Sequence, residues 1–258
     1  MPDNLSGLFL KTFEIDPSSD DIALIQAICS VFSGMPYENT TKLINFNRKS
    51  SERDSRRLPE EVLEDYLRHR AGGTCYSLVW CLTSILREAG IDARPVTADT
   101  SSGPDTHSAV IVTLNSGEYL IDPGYLILSP LSLTEKGERR IERPVFDLVL
   151  RNGSQSLDLF TERNGQRKKR CGIKTACISD QDYFDLWDRS FSGDMMKALV
   201  ITKYIGNKLY YLKNDRLQIT SKTGQQVETL TGNYENAVSG IFNIDHGLIA
   251  KAIDILNI

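Results

Sequence analysis

Gly72-Gly73-Thr74-Cys75-Tyr76-Ser77-Leu78-Val79-Trp80-Cys81-Leu82 is the stretch on which the reading of this chain turns. Two glycines let the backbone turn sharply and approach other groups closely. Behind them Leu78, Leu82, Ile85, Leu86 and Ala89 recur at helical period, and Gly90 closes the run. This pattern predicts a helix with Cys75 in its first turn. The positive end of a helix dipole favours a thiolate there, which is the nucleophilic form of cysteine. A lone cysteine among apolar residues is more often a small buried hydrophobe. What raises Cys75 above that reading is a histidine 32 residues on, His107, and an aspartate 15 residues further, Asp122. Nucleophile, base and a carboxylate that orients the base are the parts of nucleophilic catalysis.

Upstream of Cys75 the chain reads as helical. Ser18-Ser19-Asp20-Asp21 offers N-caps to a stripe of Ile22, Ile25, Ile28, Cys29 and Phe32, ended by Gly34 and Pro36. The Arg- and Ser-rich passage from Asn45 to Arg57 reads as an exposed loop, and Pro59 opens a helix with Val62, Leu63, Tyr66 and Leu67 on its apolar face. Beyond Gly90 the texture changes to short β-type runs, at 93–98, 109–114, 119–122, 146–150 and 157–160, separated by turn residues. Such a series predicts an antiparallel barrel or sandwich. The tail mixes strands at 199–204, 208–213 and 217–220 with a terminal helix that Asp245 caps. The basic run Arg163 to Arg170 carries Asn164-Gly165 and reads as a solvated β-turn rather than a phosphate site.

A geometric difficulty attends the pair His107 and Asp122. If Asn115-Ser116-Gly117-Glu118 closes a hairpin, Ile111 lies opposite Asp122, and His107 shares its face. In that register, however, His107 stands four residues from Asp122, ~13 Å along the strand. A bulge, barrel curvature or another strand neighbour has to close the gap. The other two histidines are weaker candidates: His69 lies in the charged segment Arg68-His69-Arg70, and His246 follows the Asp245 cap near the C-terminus.

The chain has 258 residues, 40% hydrophobic and 25% charged, ordinary values for a globular protein. A net charge of −4 argues against nucleic acid or an anionic membrane as principal partner. No signal peptide is read at the N-terminus, and no apolar run is long enough to span a bilayer. Five cysteines, an odd number, do not form a disulfide framework, which places the chain in the cytoplasm. Cys171 and Cys177 match no zinc spacing, so no metal site is expected.

With these motifs in place, the sequence resembles the arylamine N-acetyltransferases. Pro36-Tyr37-Glu38-Asn39 is similar to that family's Pro-Phe-Glu-Asn, and Gly72-Gly73-Thr74-Cys75-Tyr76 to its Arg-Gly-Gly-X-Cys-Phe. Thr106-His107, Leu120-Ile121-Asp122-Pro123-Gly124-Tyr125 and Pro130-Leu131-Ser132-Leu133 fall in the family's order. The resemblance implies an α+β fold: a helical bundle (1–90), an antiparallel β-barrel (91–190) and an α/β lid (191–258) on a cysteine-protease/transglutaminase-like core. It implies acetyl transfer from acetyl-CoA, a substrate rather than a resident cofactor, through a Cys75 thioester to an arylamine, hydrazine or similar small amine. Cys75, His107 and Asp122 would form the triad, with Tyr125, Gly124, Thr106 and Tyr37 contacting substrate. Gly124 would leave room for the acyl donor.

Several positions depart from the pattern. Ala71 stands where the family has the arginine that pairs with the motif glutamate, so Glu38 is expected to lack its partner. Ser77 and Val79 replace a glutamate and an asparagine, Leu126 replaces a glycine, and Pro123 replaces a small apolar residue. Two other readings therefore stand beside acyl transfer: a transglutaminase-like thiol hydrolase, and a relative that binds a ligand or partner without turnover.

Overall fold

The computed structural model describes residues 4–124, 127–133, 137–152 and 156–258. Helices come first: α1 (Leu5–Thr12), α2 (Asp21–Ser33), then a two-residue strand β1 (Tyr37–Glu38), α3 (Thr40–Arg48), α4 (Glu52–Ser55), α5 (Pro59–His69) and α6 (Cys75–Glu88). Asp20 caps α2 by accepting from the Ala23 amide, as its position ahead of the apolar stripe leads one to expect. Phe9, Ile25, Ile28, Phe32, Val62, Leu82 and Ile85 interlock as the helical core, all at most 2% exposed.

The passage from Asn45 to Arg57 is largely exposed, as its composition suggests, but it is not a loop throughout. Residues 45–48 complete α3, α4 occupies 52–55, and Arg57 is only 3% exposed. Leu67, expected on the buried face of α5, is exposed instead; that helix buries a narrower stripe through Val62 and Leu63.

The strands β2 (Asp92–Thr100), β3 (Gly103–Leu114), β4 (Gly117–Asp122), β5 (Ile127–Ser132), β6 (Glu138–Ile141), β7 (Asp147–Asn152), β8 (Ser156–Arg163) and β9 (Gln166–Lys174) form one antiparallel sheet. Its order is β5-β4-β3-β2-β9-β8-β7-β6. The sheet curls around its own apolar cluster of Val96, Ile111, Leu120, Leu148, Leu159 and Ile173, a half-barrel with β5 and β6 as its edges. Asn164 and Gly165, both at positive φ, make the β8–β9 turn anticipated within the basic run.

Helix α7 (Asp180–Arg189) returns to the helical core, where Tyr183 and Trp187 are buried against Tyr76 and Trp80. The chain ends with β10 (Val200–Ile205), β11 (Lys208–Lys213), β12 (Arg216–Thr220), β13 (Gln225–Thr229), α8 (Tyr234–Phe242) and α9 (His246–Leu256). β10 to β13 are an antiparallel meander, and β1 joins its edge through Tyr37–Thr202 and Glu38–Ile201. The Asp245 carboxylate caps α9 at the Leu248 amide. Among the described residues no helix is long and apolar enough to cross a membrane.

Candidate active site

The turn that leads into α6 is built by close approach of backbone to backbone. Gly73 N donates to the Pro36 carbonyl at 3.3 Å, and Glu38 N donates to the Gly73 carbonyl at 3.0 Å. A Cβ on Gly72 would stand 1.9 Å from the Pro36 oxygen, and one on Gly73 would stand 2.3 Å from Ser77 Oγ. Neither glycine has positive φ, so Gly72 is required for space rather than backbone conformation, whereas the contact at Gly73 is with the rotatable Ser77 hydroxyl. Cys75 follows as the first residue of α6, 4% exposed.

The Pro-Tyr-Glu-Asn segment anchors this turn on its other side. Glu38, fully buried, accepts from the Thr41 amide (3.0 Å) and hydroxyl (2.6 Å), capping α3. Asn39 donates to the Ala198 carbonyl at 2.7 Å and to Met195, and accepts from the Val200 amide at 2.8 Å. One asparagine thus ties the helical part to the start of β10.

The partner that Glu38 was expected to lack is present. Arg57 places Nη1 3.7 Å from the Glu38 carboxylate and donates to the Gly72 carbonyl at 2.6 Å. Its Nη2 reaches Asp65 at 2.7 Å. Position 71 is a buried alanine, and a guanidinium from 14 residues upstream occupies the place beneath the nucleophile turn. Nothing in the local sequence separates Arg57 from its neighbours Arg53 and Arg56; its role follows from where α4 ends.

His107 and Asp122 do meet, and the reason is a shorter turn than expected. Only Asn115 and Ser116 form it: Leu114 pairs with Gly117, Ile111 with Leu120 and Val110 with Ile121. The register therefore moves by two residues, leaving His107 and Asp122 as a diagonal pair on one face of the sheet, a separation within reach of long side chains. His107 Nε2 lies 2.9 Å from Asp122 Oδ2. Asp122 is fully buried and also accepts from the Gly124 amide at 2.9 Å. A Cβ on Gly124 would lie 2.5 Å from His107 Cε1, so the space that glycine leaves is filled by the imidazole itself.

The electrostatics single Cys75 out among the buried helix cysteines. Burial pushes Cys29 and Cys81 up to about 12. Burial opposes ionisation of Cys75 as well, but its hydrogen bond to His107, the imidazolium charge and the Lys42 ammonium outweigh it and hold the thiol below 9.0. Burial would also lower His107, yet the charge and hydrogen bond of Asp122, with those of Cys75, push it up to about 10. The arrangement favours a thiolate–imidazolium pair across the neutral range.

Tyr183, which the sequence did not mark, bridges the two strands of this chemistry. Its hydroxyl donates to the Tyr76 carbonyl at 2.9 Å and lies 3.3 Å from Ser108 Oγ, touching the residue after Cys75 and the residue after His107. Of the other expected substrate contacts, Tyr37 is half-buried on β1, bridged to Gly73. The Thr106 side chain is exposed and engaged within its hairpin with Thr100 and Gly103. Tyr125 and Leu126 lie outside the described residues.

The pattern of the N-acetyltransferase family matches residues 23–249. An uncharacterized Bacillus subtilis acetyltransferase, YvcN, is 31% identical over 109 residues, covering 38% of this chain and 40% of that relative. The alignment thus spans about two fifths of that relative's length. Solved arylamine N-acetyltransferases share the fold almost from end to end. That of Mycobacterium abscessus superposes with TM-score 0.79 at 16% identity, covering 98% of this chain and 95% of its own. That of Mycobacterium marinum in complex with CoA gives 0.74 at 18%, covering 96% and 98%. A Bacillus cereus member with a Cys-His-Glu catalytic triad gives 0.71 at 18%, covering 94% and 99%. With the family pattern running through nearly the whole chain, and the same helix-and-curled-sheet architecture beneath it, this protein belongs to the arylamine N-acetyltransferase family and is an acyltransferase.

Proposed function

We propose that the protein moves an acetyl group from acetyl-CoA to an arylamine, hydrazine or similar amine in two steps through Cys75. The observation that carries this reading is the buried line Cys75–His107–Asp122, with its thiol held low and its imidazole held high. The Cys75 thiolate attacks the thioester carbonyl, the tetrahedral intermediate collapses, and CoA leaves as its thiol after taking the imidazolium proton. Thioester-to-thioester exchange is nearly balanced in energy, and the acyl-enzyme stays reactive towards an amine. In the second step His107 takes the proton of the attacking amine, and Cys75 departs as thiolate. Asp122 holds Nε2, which leaves Nδ1 of the same ring to face the sulfur and keeps the imidazolium stable.

The segment from 191 onward, stapled by Asn39, acts in this reading as the lid that excludes water from the acyl-enzyme. In this reading Tyr37 and Thr106 contact donor or acceptor, as the family resemblance implies. The decisive experiment is the intact mass of the protein after incubation with acetyl-CoA alone, beside Cys75→Ala. A gain of one acetyl group that the variant lacks supports the two-step route. No gain and no released CoA overturns it, and CoA released without an adduct turns the reading to hydrolysis.

A further inference from the structure

His107 follows a break in the sheet. Ala98 pairs with His107 and Thr100 with Gly103, so Asp99 of β2 stands opposite three residues of β3, 104–106. Such a bulge bends its strand and re-aims the side chains beside it. At its centre Asp105 holds φ +54°, a left-handed conformation that a non-glycine residue keeps only where its surroundings enforce it. Here they do. The Asp105 amide donates to Asp99 Oδ1 at 3.0 Å, and its own Oδ1 accepts from Thr97 Oγ1 at 2.6 Å and Lys174 Nζ at 2.7 Å.

The carbonyl of Asp105 is held from another layer, because it accepts from the Tyr76 hydroxyl. Tyr76 is the residue after Cys75, 2% exposed, where the family's Arg-Gly-Gly-X-Cys-Phe has phenylalanine. A phenylalanine packs the same ring but cannot make this bond. On the other side of His107, Ser108 lies on the face of Val110 and Val112, towards the helical core. There the Tyr183 hydroxyl lies 3.3 Å from Ser108 Oγ and donates to the Tyr76 carbonyl at 2.9 Å. The chain on both sides of the base is thus tied to the residue next to the nucleophile, at Asp105 through the Tyr76 ring and at Ser108 through Tyr183.

We infer that the Tyr76 and Tyr183 hydroxyls are a clamp of positioning residues that sets the reach between the Cys75 sulfur and the His107 imidazole. Nucleophile and base sit on different layers, one on a helix and one beside a bulge, so their hydrogen bond is only as well made as the layers are aligned. Neither phenol supplies charge, since burial pushes both upward and keeps them neutral. The other groups that face the sulfur and the imidazole, Asp122, Lys42 and the neutral Cys171 thiol, are untouched when either hydroxyl is removed. A change in thiol reactivity then reports geometry and not a lost charge.

The test is the rate of iodoacetamide alkylation of Cys75 against pH, which needs no acetyl-CoA. In Tyr76→Phe the profile is expected to move up by about half to one pH unit, a loss of roughly three- to tenfold on the acid side, as the imidazolium draws away from the sulfur. Resting on the two-step reading above, the maximum rate of CoA release should fall by about 10- to 100-fold. KM for acetyl-CoA should not change, since both hydroxyls bond within the protein. Tyr183→Phe should move both readings the same way. A wild-type profile in either folded variant overturns the clamp even where Tm falls, because a purely structural role lowers Tm without moving the profile. A rise in KM at an unchanged maximum rate overturns it too, by making the hydroxyls substrate contacts. Should Tyr183→Phe fail to fold, Tyr76→Phe, which carries the family's own residue, decides alone. A shifted profile in a protein that takes no acetyl group would defeat the two-step reading while leaving the clamp intact.

Discussion

Replacing Arg57 by methionine removes a guanidinium that does three things beneath the nucleophile turn. It donates to the Gly72 carbonyl at 2.6 Å, it stands 3.7 Å from the buried Glu38 carboxylate, and it meets Asp65 at 2.7 Å. The last contact matters least, because Asp65 is 31% exposed and solvent screens it. The first two are desolvated. A buried carbonyl stripped of a charged donor costs about 1–3 kcal/mol, and a buried ion pair broken on one side costs about 3–5 kcal/mol in all. We therefore expect Arg57→Met to lose about 4 kcal/mol of stability, which in a chain of this size lowers Tm by on the order of 10 °C. The sharper test is the cycle with Glu38→Gln, read by calorimetry or chemical denaturation. If the stranded Glu38 charge causes much of the loss, the double variant will be more stable than the sum of the singles by about 1–2 kcal/mol. Additivity within about 0.5 kcal/mol would refute the pairing.

Three further outcomes follow from the site. In Gly124→Ala the new methyl, 2.5 Å from His107 Cε1, must displace the imidazole; since a shift of ~1 Å in a reacting group can cost ~100-fold, acetyl transfer should fall by about that factor while Tm stays within a few degrees, and near-normal turnover would show the ring can move at no cost. Asp122→Asn can keep the Gly124 amide bond through Oδ1, but its amide would donate to His107 Nε2 and leave the ring proton on the nitrogen facing Cys75. Acylation measured by stopped-flow release of CoA should drop by roughly 10⁴-fold, as in the serine-protease triad with this change, and a loss below tenfold would count against the assigned tautomer. Lys42→Met should stabilise the fold. The folded ammonium sits at about 8, below its ordinary 10.5, so its penalty is complete below pH 8 and fades as the pH rises towards 10.5, where the unfolded chain also loses the proton. The variant's advantage in denaturant melts should reach at most about 3 kcal/mol at pH 7 and vanish by pH 10 to 11; an advantage constant with pH would assign it to packing alone.

The parts of the site that depend on side-chain identity at fixed spacing were legible. Cys75 in a helical first turn after two glycines, the strand parity of His107 and Asp122, and the Asp245 cap all follow from residue types and period. What was not legible depends on counts and on distance in space. The Asn115–Glu118 stretch carries enough turn residues for a four-residue loop, but Gly117 instead begins β4 at φ +123°. That difference of two residues separates a His107–Asp122 pair offset by ~13 Å along the strand from one closed by a 2.9 Å contact. Likewise the Arg- and Ser-rich run reads as solvated because charged residues usually are. Its last arginine is buried only because α4 and α5 turn it under Gly72, a fact of tertiary packing.

Arg57 and Ala71 also show why a missing motif residue is weak evidence of a lost function. The requirement under the nucleophile turn is a buried cation that neutralises Glu38 and satisfies the carbonyl of Gly72. Chain position does not enter that requirement; charge, reach and donor geometry do. An arginine delivered from position 57 meets it while position 71 is an alanine in the apolar cluster that includes Leu43, Leu199 and Phe242. Stability alone accounts for this cation, since it completes a buried pair and satisfies the carbonyl above it.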